Sequence, residues 1–303
     1  MKKFLISLVL CFVFAFSGCN IVENPITKIS VDIESQTLLV GESINFNVST
    51  LPINTDENVT IHSTNAPIAD VTENKITAKT VGETGIYFRS ESGNISKRIV
   101  IRVVEQIEDY ISFRNAHSLE IARSQVRVYC RSFNRNWLGI DTDVKTKSGF
   151  GTIVNVVGYT TYFVTDKSIL ESPADRDYEE WYLTDYKGTR YDIPGIKAHK
   201  ETKVAIGSFT STDVENYHII PISEADVYYN DYAILPSTTL LTRVSKSPSS
   251  SYFYINSITS ERLGYAVLNE KCELIGIATN AEENQMKVIG SSIIMQIYDE
   301  LFN

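Results

Sequence analysis

Apolar and polar residues alternate with a period of two over most of this chain. Ile29-x-Val31-x-Ile33, Ile44-x-Phe46-x-Val48 and Ile99-x-Ile101-x-Val103 each put one face inward and one outward, as half-buried strands do. Asn54, Asp56, Glu57 and Asn58 make a polar loop, and Gly82 and Gly93 punctuate later turns. Roughly seven such strands between Ile26 and Glu105 predict a small β-sandwich.

The period changes at two places. Over Asp109–Arg123, Ile111, Ala116, Leu119 and Ile121 suit one side of an amphipathic helix free of Gly and Pro, so residues 106–125 read as a helical linker. Over Ser291–Phe302, Ile294, Ile297 and Leu301 recur at helical spacing and predict a closing helix. Strands fill the interval: Val126–Val128, Gly151–Val157, Thr161–Thr165, Trp181–Thr184, Lys203–Phe209, Asp231–Leu235, Tyr252–Ile258, Tyr265–Leu268 and Leu274–Ala278. The expected fold class is all-β, with one domain over 26–105 and another over 126–303.

The first residues follow a different rule. Lys2 and Lys3 precede an almost wholly apolar run, Phe4–Phe16, and Phe16-Ser17-Gly18-Cys19 closes it with small residues before a cysteine. The run is short for a bilayer span and is followed by polar chain, which marks residues 1–18 as a secretory signal. Phe-Ser-Gly-Cys resembles a bacterial lipobox, which implies acylation of Cys19 and a tether over 19–25; an ordinary signal peptide with an incidental cysteine is the other reading. Each buried methylene stabilises an anchor by about 0.8 kcal/mol, and more than one acyl chain makes it durable. The expected setting is the outer face of a bacterial membrane, with that membrane as a partner.

Removing residues 1–18 moves the formal charge from −9 to −11, because Lys2 and Lys3 leave and no acid does. That balance argues against a nucleic-acid partner, whose phosphates demand a basic surface. After Cys11 is cleaved away and Cys19 acylated, Cys130 and Cys272 remain. A disulfide between them is chemically permitted outside the cell, provided their Cα atoms come within about 7 Å. Neither has a CxxC partner or neighbouring histidines, which argues against zinc.

The 26–105 segment carries a family resemblance. Val40-Gly41-Glu42-Ser43, Leu51-Pro52, Ser63-Thr64-Asn65-Ala66-Pro67-Ile68-Ala69-Asp70-Val71, Ile76-Thr77-Ala78 and Val81-Gly82-Glu83-Thr84 stand in the order of a group 2 bacterial immunoglobulin-like (Big2) domain. Ile61-His62 occupies the place where such domains commonly hold tryptophan. The resemblance implies an immunoglobulin-like fold acting as a spacer or adhesive module.

The second domain resembles the trypsin-like (chymotrypsin-fold) peptidases over about 150 residues. Gly149-Phe150-Gly151-Thr152-Ile153-Val154-Asn155 with Gly158-Tyr159 looks like their G-S-G-F-I-V-N-x-x-G-Y opening. Phe163-Val164-Thr165-Asp166-Lys167-Ser168-Ile169-Leu170 looks like the I-V-T-N-A-H-V-V element, and Lys203-Val204-Ala205-Ile206 looks like D-L-A-V. Leu263-Gly264-Tyr265-Ala266-Val267-Leu268-Asn269, then Glu273-Leu274-Ile275-Gly276-Ile277, looks like S-G-G-P-L-V-N and G-E-V-I-G-I. The resemblance implies a double β-barrel and, residue by residue, removes the activity. Ser168 stands at the histidine position, Lys203 at the aspartate position and Leu263 at the nucleophile position. Acyl transfer needs a hydroxyl, a base and a carboxylate that orients the base; leucine offers no lone pair for attack. Glu261 replaces the glycine two residues ahead of the nucleophile, which also undercuts an oxyanion site.

Other chemistry is sparse. His117 on the linker, and His199 and His218 after the peptidase-like opening, read as surface or packing residues. Ser168 with Lys203 is the one pair with dyad potential, since a desolvated lysine can act as a base. Asp141-Thr142-Asp143 and Asp175-Arg176-Asp177 cluster carboxylates without the glycine turn and later glutamate of a calcium loop. Glu179, Glu180, Trp181 and Tyr182 suit either an aromatic recognition surface or core packing. GxGxxG, GxxxxGK[ST] and HExxH are absent, so no cofactor or metal is expected. Three readings follow: an inert protease scaffold that binds a protein or peptide ligand, an active serine hydrolase using Ser168 and Lys203 or another triad, and a passive envelope component.

Overall fold

The computed structural model describes residues 24–93, 95–236, 240–246, 251–256, 263–282 and 284–302. The signal segment and Cys19 lie outside them, as does Glu261. The chain divides into two compact units. One runs to Glu34 and resumes over Val40–Val103; the other takes Ser35–Leu39 and Val104 onward.

In the first unit, β1 (Lys28–Val31) pairs antiparallel with β4 (Val48–Leu51). β3 (Ser43–Asn45), β7 (Lys75–Ala78) and β6 (Ala69–Thr72) form a three-stranded sheet. β5 (Val59–Ser63), β8 (Gly82–Ser90) and β9 (Ser96–Val104) run antiparallel, with Ile61 opposite Phe88 and Ile86 opposite Ile99. The alternation predicts the buried face well: Ile29, Phe46, Ile76, Ile86, Phe88, Ile99 and Ile101 are all interior. Phe46 meets Phe88 edge-on at 5.3 Å between centroids, a favourable ring geometry. His62 stacks on Tyr87 across the strand pair, at 5.6 Å and 11°. Glu57 ties the loops together, accepting from the amides of Ile26 at 2.8 Å and Ser92 at 2.7 Å.

The segment Ser35–Leu39, which carries β2 (Gln36–Leu39), packs with the second unit. Thr37 donates its amide to the Tyr229 carbonyl at 2.9 Å and its hydroxyl to Asp231, while Asn230 Nδ2 donates to the Thr37 carbonyl at 2.9 Å.

The linker region forms two short helices, α1 (Tyr110–Ala116) and α2 (Ser118–Ser124), meeting at His117. Asp109 caps the first by accepting from the Ser112 amide at 2.7 Å. The face expected to be buried is not: Ile111 and Leu119 are 62% and 65% exposed, and Phe113 packs inward instead. A period of 3.6 over so short a segment cannot distinguish adjacent stripes, and the larger aromatic ring takes the interior.

The second unit is mostly β and holds two sheets. A seven-stranded sheet runs in the order β14 (Arg190–Asp192), β13 (Tyr178–Thr184), β10 (Gln125–Arg135), β11 (Asp141–Val157), β12 (Thr160–Asp166), β16 (Val204–Thr210), β15 (Gly195–Ala198). A closed six-stranded barrel follows: β17 (Tyr232–Leu235), β18 (Leu240–Lys246), β19 (Tyr252–Asn256), β22 (Gln285–Gly290), β21 (Leu274–Glu282), β20 (Ala266–Leu268). Closure removes the exposed edges that make open sheets prone to association. α3 (Ser291–Phe302) occupies the span read from the sequence; Ile294 and Ile297 are buried, while Leu301 stays 37% exposed.

Three apolar layers hold this unit. Val126, Val128, Ile153, Phe163, Leu183 and Phe209 line the curved sheet. Phe253, Ile255, Val267, Met286 and Val288 fill the barrel. Val164, Ile206, Ile234, Leu268, Leu274 and Ile277 join the two sheets, and Ile294 and Ile297 of α3 pack on that layer.

Cys130 lies in β10 and Cys272 in the turn before β21, and both thiols are free and buried, so the permitted disulfide is not formed. Burial pushes each thiol up to about 12, and at Cys130 the hydrogen bond to Glu179 at 3.1 Å adds to the effect. Both are unreactive packing residues.

Candidate functional site

The three positions singled out by resemblance gather where the curved sheet meets the barrel. β12 ends at Asp166, and a 3-10 turn over Lys167–Leu170 carries Ser168. Its sequence explains the turn: the Asp166 carboxylate accepts from the Ser168 amide at 2.7 Å, a local cap that stops the strand. β16 pairs with β12 through Asp166 opposite Val204. Lys203, just before β16, accepts the Lys167 amide at its carbonyl, at 2.5 Å.

Leu263 approaches from the barrel side. Its carbonyl accepts from the Phe150 amide at 3.2 Å, and its side chain packs on the cluster containing Ile169 and Leu170. Gly264 follows with φ +79°, and an added Cβ there would lie 2.0 Å from the Phe150 carbonyl oxygen. Gly149 faces the same crossing, since its Cβ would sit 2.1 Å from Ile169 Cδ1 and 2.8 Å from the Leu263 carbonyl. Only glycine admits this approach of β11 to the Leu263 turn.

Ser168 Oγ is enclosed and has no hydrogen-bond partner, so it makes no hydrogen bond to Lys203. One Asp166 oxygen, Oδ2, is likewise buried without a partner. Lys147 of β11 donates its ammonium to the Ser168 carbonyl. Burial pushes the Asp166 carboxyl above the usual carboxylate range, against the opposing pull of the Ser168 amide it accepts from and of the Lys203 and Lys147 charges. The neighbourhood thus holds a buried carboxyl, two cations and a hydrocarbon plug, with neither an imidazole nor a reachable nucleophilic oxygen at the aligned positions.

The histidines are occupied elsewhere. His199 Nδ1 accepts the Glu201 amide at 3.3 Å within its own loop, and the His218 amide donates to Arg123. His117 lies against the Phe113 ring at 4.8 Å.

The carboxylate clusters carry other work. Asp141 opens β11 rather than a loop and pairs with Arg131 and Arg135, both at 2.9 Å. Among the described residues no group of three metal-ligating side chains converges. The aromatic stretch on β13 is partly covered: Tyr182 stacks on Tyr129 at 4.8 Å with Arg190 over its ring at 3.9 Å, Trp181 packs on the core, and Glu180 pairs with Arg131. Elsewhere a cavity of about 250 Å³ is lined by Leu39, Ile107, Tyr232, Leu241 and Arg243, with the guanidinium 3.6 Å from the Tyr232 ring centroid.

Sequence reasoning missed Asp166 and Lys147. Asp166 had a signal, because Asp-x-Ser at a strand end is cap spacing. Lys147 had none; the pairing of β10 with β11 and the closeness of the 3-10 turn bring it in. No family model matches this chain, and no curated protein matches it.

Proposed function

We propose that this chain is an exported lipoprotein held to a membrane by acylated Cys19. Its first unit acts as an immunoglobulin-like spacer, and its second is a trypsin-like scaffold that has lost hydrolytic chemistry and serves to bind a protein or peptide ligand. The observation that carries the reading is Leu263 packed on the Ile169–Leu170 turn beside Ser168 and Lys203. Three positions distant in sequence meet at the seam of two β-structures, as triad positions would in a trypsin-like fold. None of the three matches the role of its position: leucine stands for the nucleophile, serine for the base and lysine for the orienting carboxylate, and the Ser168 hydroxyl is enclosed without a partner.

The order of pieces supports the scaffold: a curved seven-stranded sheet, a closed six-stranded barrel and a terminal helix. Core and site impose largely separate demands, so a fold outlasts its chemistry readily. A ligand in extended form suits such a seam, because main-chain hydrogen bonds to a strand contribute affinity without any reactive group.

The test uses the full chain, because Ser35–Leu39 packs with the second unit. Unmodified protein, Ser168→Ala and Leu263→Ser are each incubated with casein and with a fluorophosphonate probe. None of the three should cleave or become labelled. A restored hydroxyl at 263 stays inert without a base. Labelling of the unmodified chain that disappears in Ser168→Ala would overturn the inert-scaffold reading in favour of a Ser168–Lys203 hydrolase.

A further inference from the structure

The hairpin joining β10 to β11 carries, at its tip, the most exposed large apolar side chain among the described residues. Trp137 is 90% exposed, with Leu138 at 59% and Ile140 at 56%. Scattered exposed apolar residues are ordinary, but three within four positions at a projecting tip form a patch. The tip is also stiffly built. Asn136 donates its amide to the Ile140 carbonyl at 3.0 Å, and its side-chain Oδ1 accepts the Leu138 and Ile140 amides, each at 3.0 Å. The Gly139 amide donates to the Asn136 carbonyl at 2.9 Å, and Gly139 turns the chain at φ +76°.

We infer that this tip inserts into the interfacial zone of a lipid bilayer with neutral headgroups. Three observations select that occupant. The amides of Asn136, Leu138, Gly139 and Ile140 are already bonded within the loop, so moving it into hydrocarbon leaves few unsatisfied donors. The two arginines beside it are matched by two carboxylates, Arg135 with Asp141 and Arg131 with Asp141 and Glu180, so neither adds an unpaired cation to the tip. The tip carries an exposed tryptophan, whose apolar body and polar N–H suit the headgroup boundary. With a chain formally at −9, anionic headgroups would repel rather than recruit it. The inference is independent of the inert-scaffold reading, and shares with the Cys19 anchor only the membrane itself.

The chain has two tryptophans, so Trp181→Phe leaves Trp137 as the sole indole reporter. This full-length variant is mixed with excess phosphatidylcholine vesicles, with and without brominated acyl chains. Trp137 emission should shift to the blue, be quenched by bromolipid and become shielded from aqueous iodide. Leu138→Glu with Ile140→Glu should weaken that quenching at least about tenfold, since each large aliphatic side chain contributes strongly to burial. Vesicle flotation reports the anchor separately, and removing residues 1–19 should abolish flotation of trace protein while leaving bromolipid quenching at high lipid. Emission unchanged by lipid overturns the inference, even if the protein floats. A blue shift that follows protein concentration rather than lipid overturns it in favour of a second copy. A blue shift without lipid that vanishes on removing residues 1–19 overturns it in favour of the chain's own leader as occupant.

Discussion

Gly264 shows how much of this structure rests on single atoms. Its left-handed backbone and the Phe150 carbonyl 2.0 Å from a hypothetical Cβ leave no room for alanine. Gly264→Ala should therefore cost about 2–4 kcal/mol, read as a lowered urea midpoint at constant m-value. Asp166 is the complementary case. Its carboxyl is raised by burial, so the folded chain holds a proton that the unfolded chain has already released. The stability linked to that proton is complete below the ordinary aspartate range and disappears as pH rises through the folded value. Asp166→Asn keeps an oxygen to accept the Ser168 amide and removes the titration. Relative to the variant, unmodified protein should lose melting temperature as pH rises above the ordinary aspartate range; parallel profiles would refute the assignment. The three positions that the peptidase resemblance singles out come from sequence order alone. The enclosure of the Ser168 hydroxyl does not, because it depends on Ile169 and Leu263, far apart in sequence with seven strands between them, packing into one cluster.

Among elements, strands with regular alternation were the most legible, as β8, β9 and β12 illustrate, since a period of two aligns side chains on one face whatever the partner. β10 and β11 run far beyond the short alternating pieces, to Arg135 and from Asp141, because cross-strand pairing sustains them through polar sequence. Asp141-Thr142-Asp143 read as a loop for that reason. β2 illustrates a different limit. Gln36–Leu39 is strand-like by itself, yet nothing local says that it packs with the second unit. Thr37, buried there, donates its hydroxyl to Asp231. Thr37→Val preserves shape and removes one donor to a buried carboxylate, so it should destabilise the second unit by about 1–3 kcal/mol. Denaturation monitored in that unit checks it, and an unchanged midpoint would refute the contact.

For the whole molecule, the proposed export and anchoring set the context. If Cys19 is acylated, Cys19→Ala should move the mature protein from the membrane to the soluble fraction on detergent-free fractionation. Retention in the membrane fraction would point to another attachment, the hairpin tip included. The arrangement then has two candidate membrane contacts of different kinds: a covalent anchor with high affinity and an apolar tip with modest affinity. Linked contacts reinforce each other by raising effective concentration.

Chemistry that depends on residue type was carried by the chain alone: a leucine side chain has no lone pair for attack, and alternating apolar residues favour sheets with one face hidden. Which residues become neighbours was a matter for the tertiary structure. It brought Lys147 and Asp166 to the Ser168 turn, kept Cys130 and Cys272 apart in separate parts of the core, and sent Ser35–Leu39 to the second unit. The reason is that local pattern is carried by covalent spacing and side-chain solubility, whereas proximity between distant segments arises only when whole sheets close and pack.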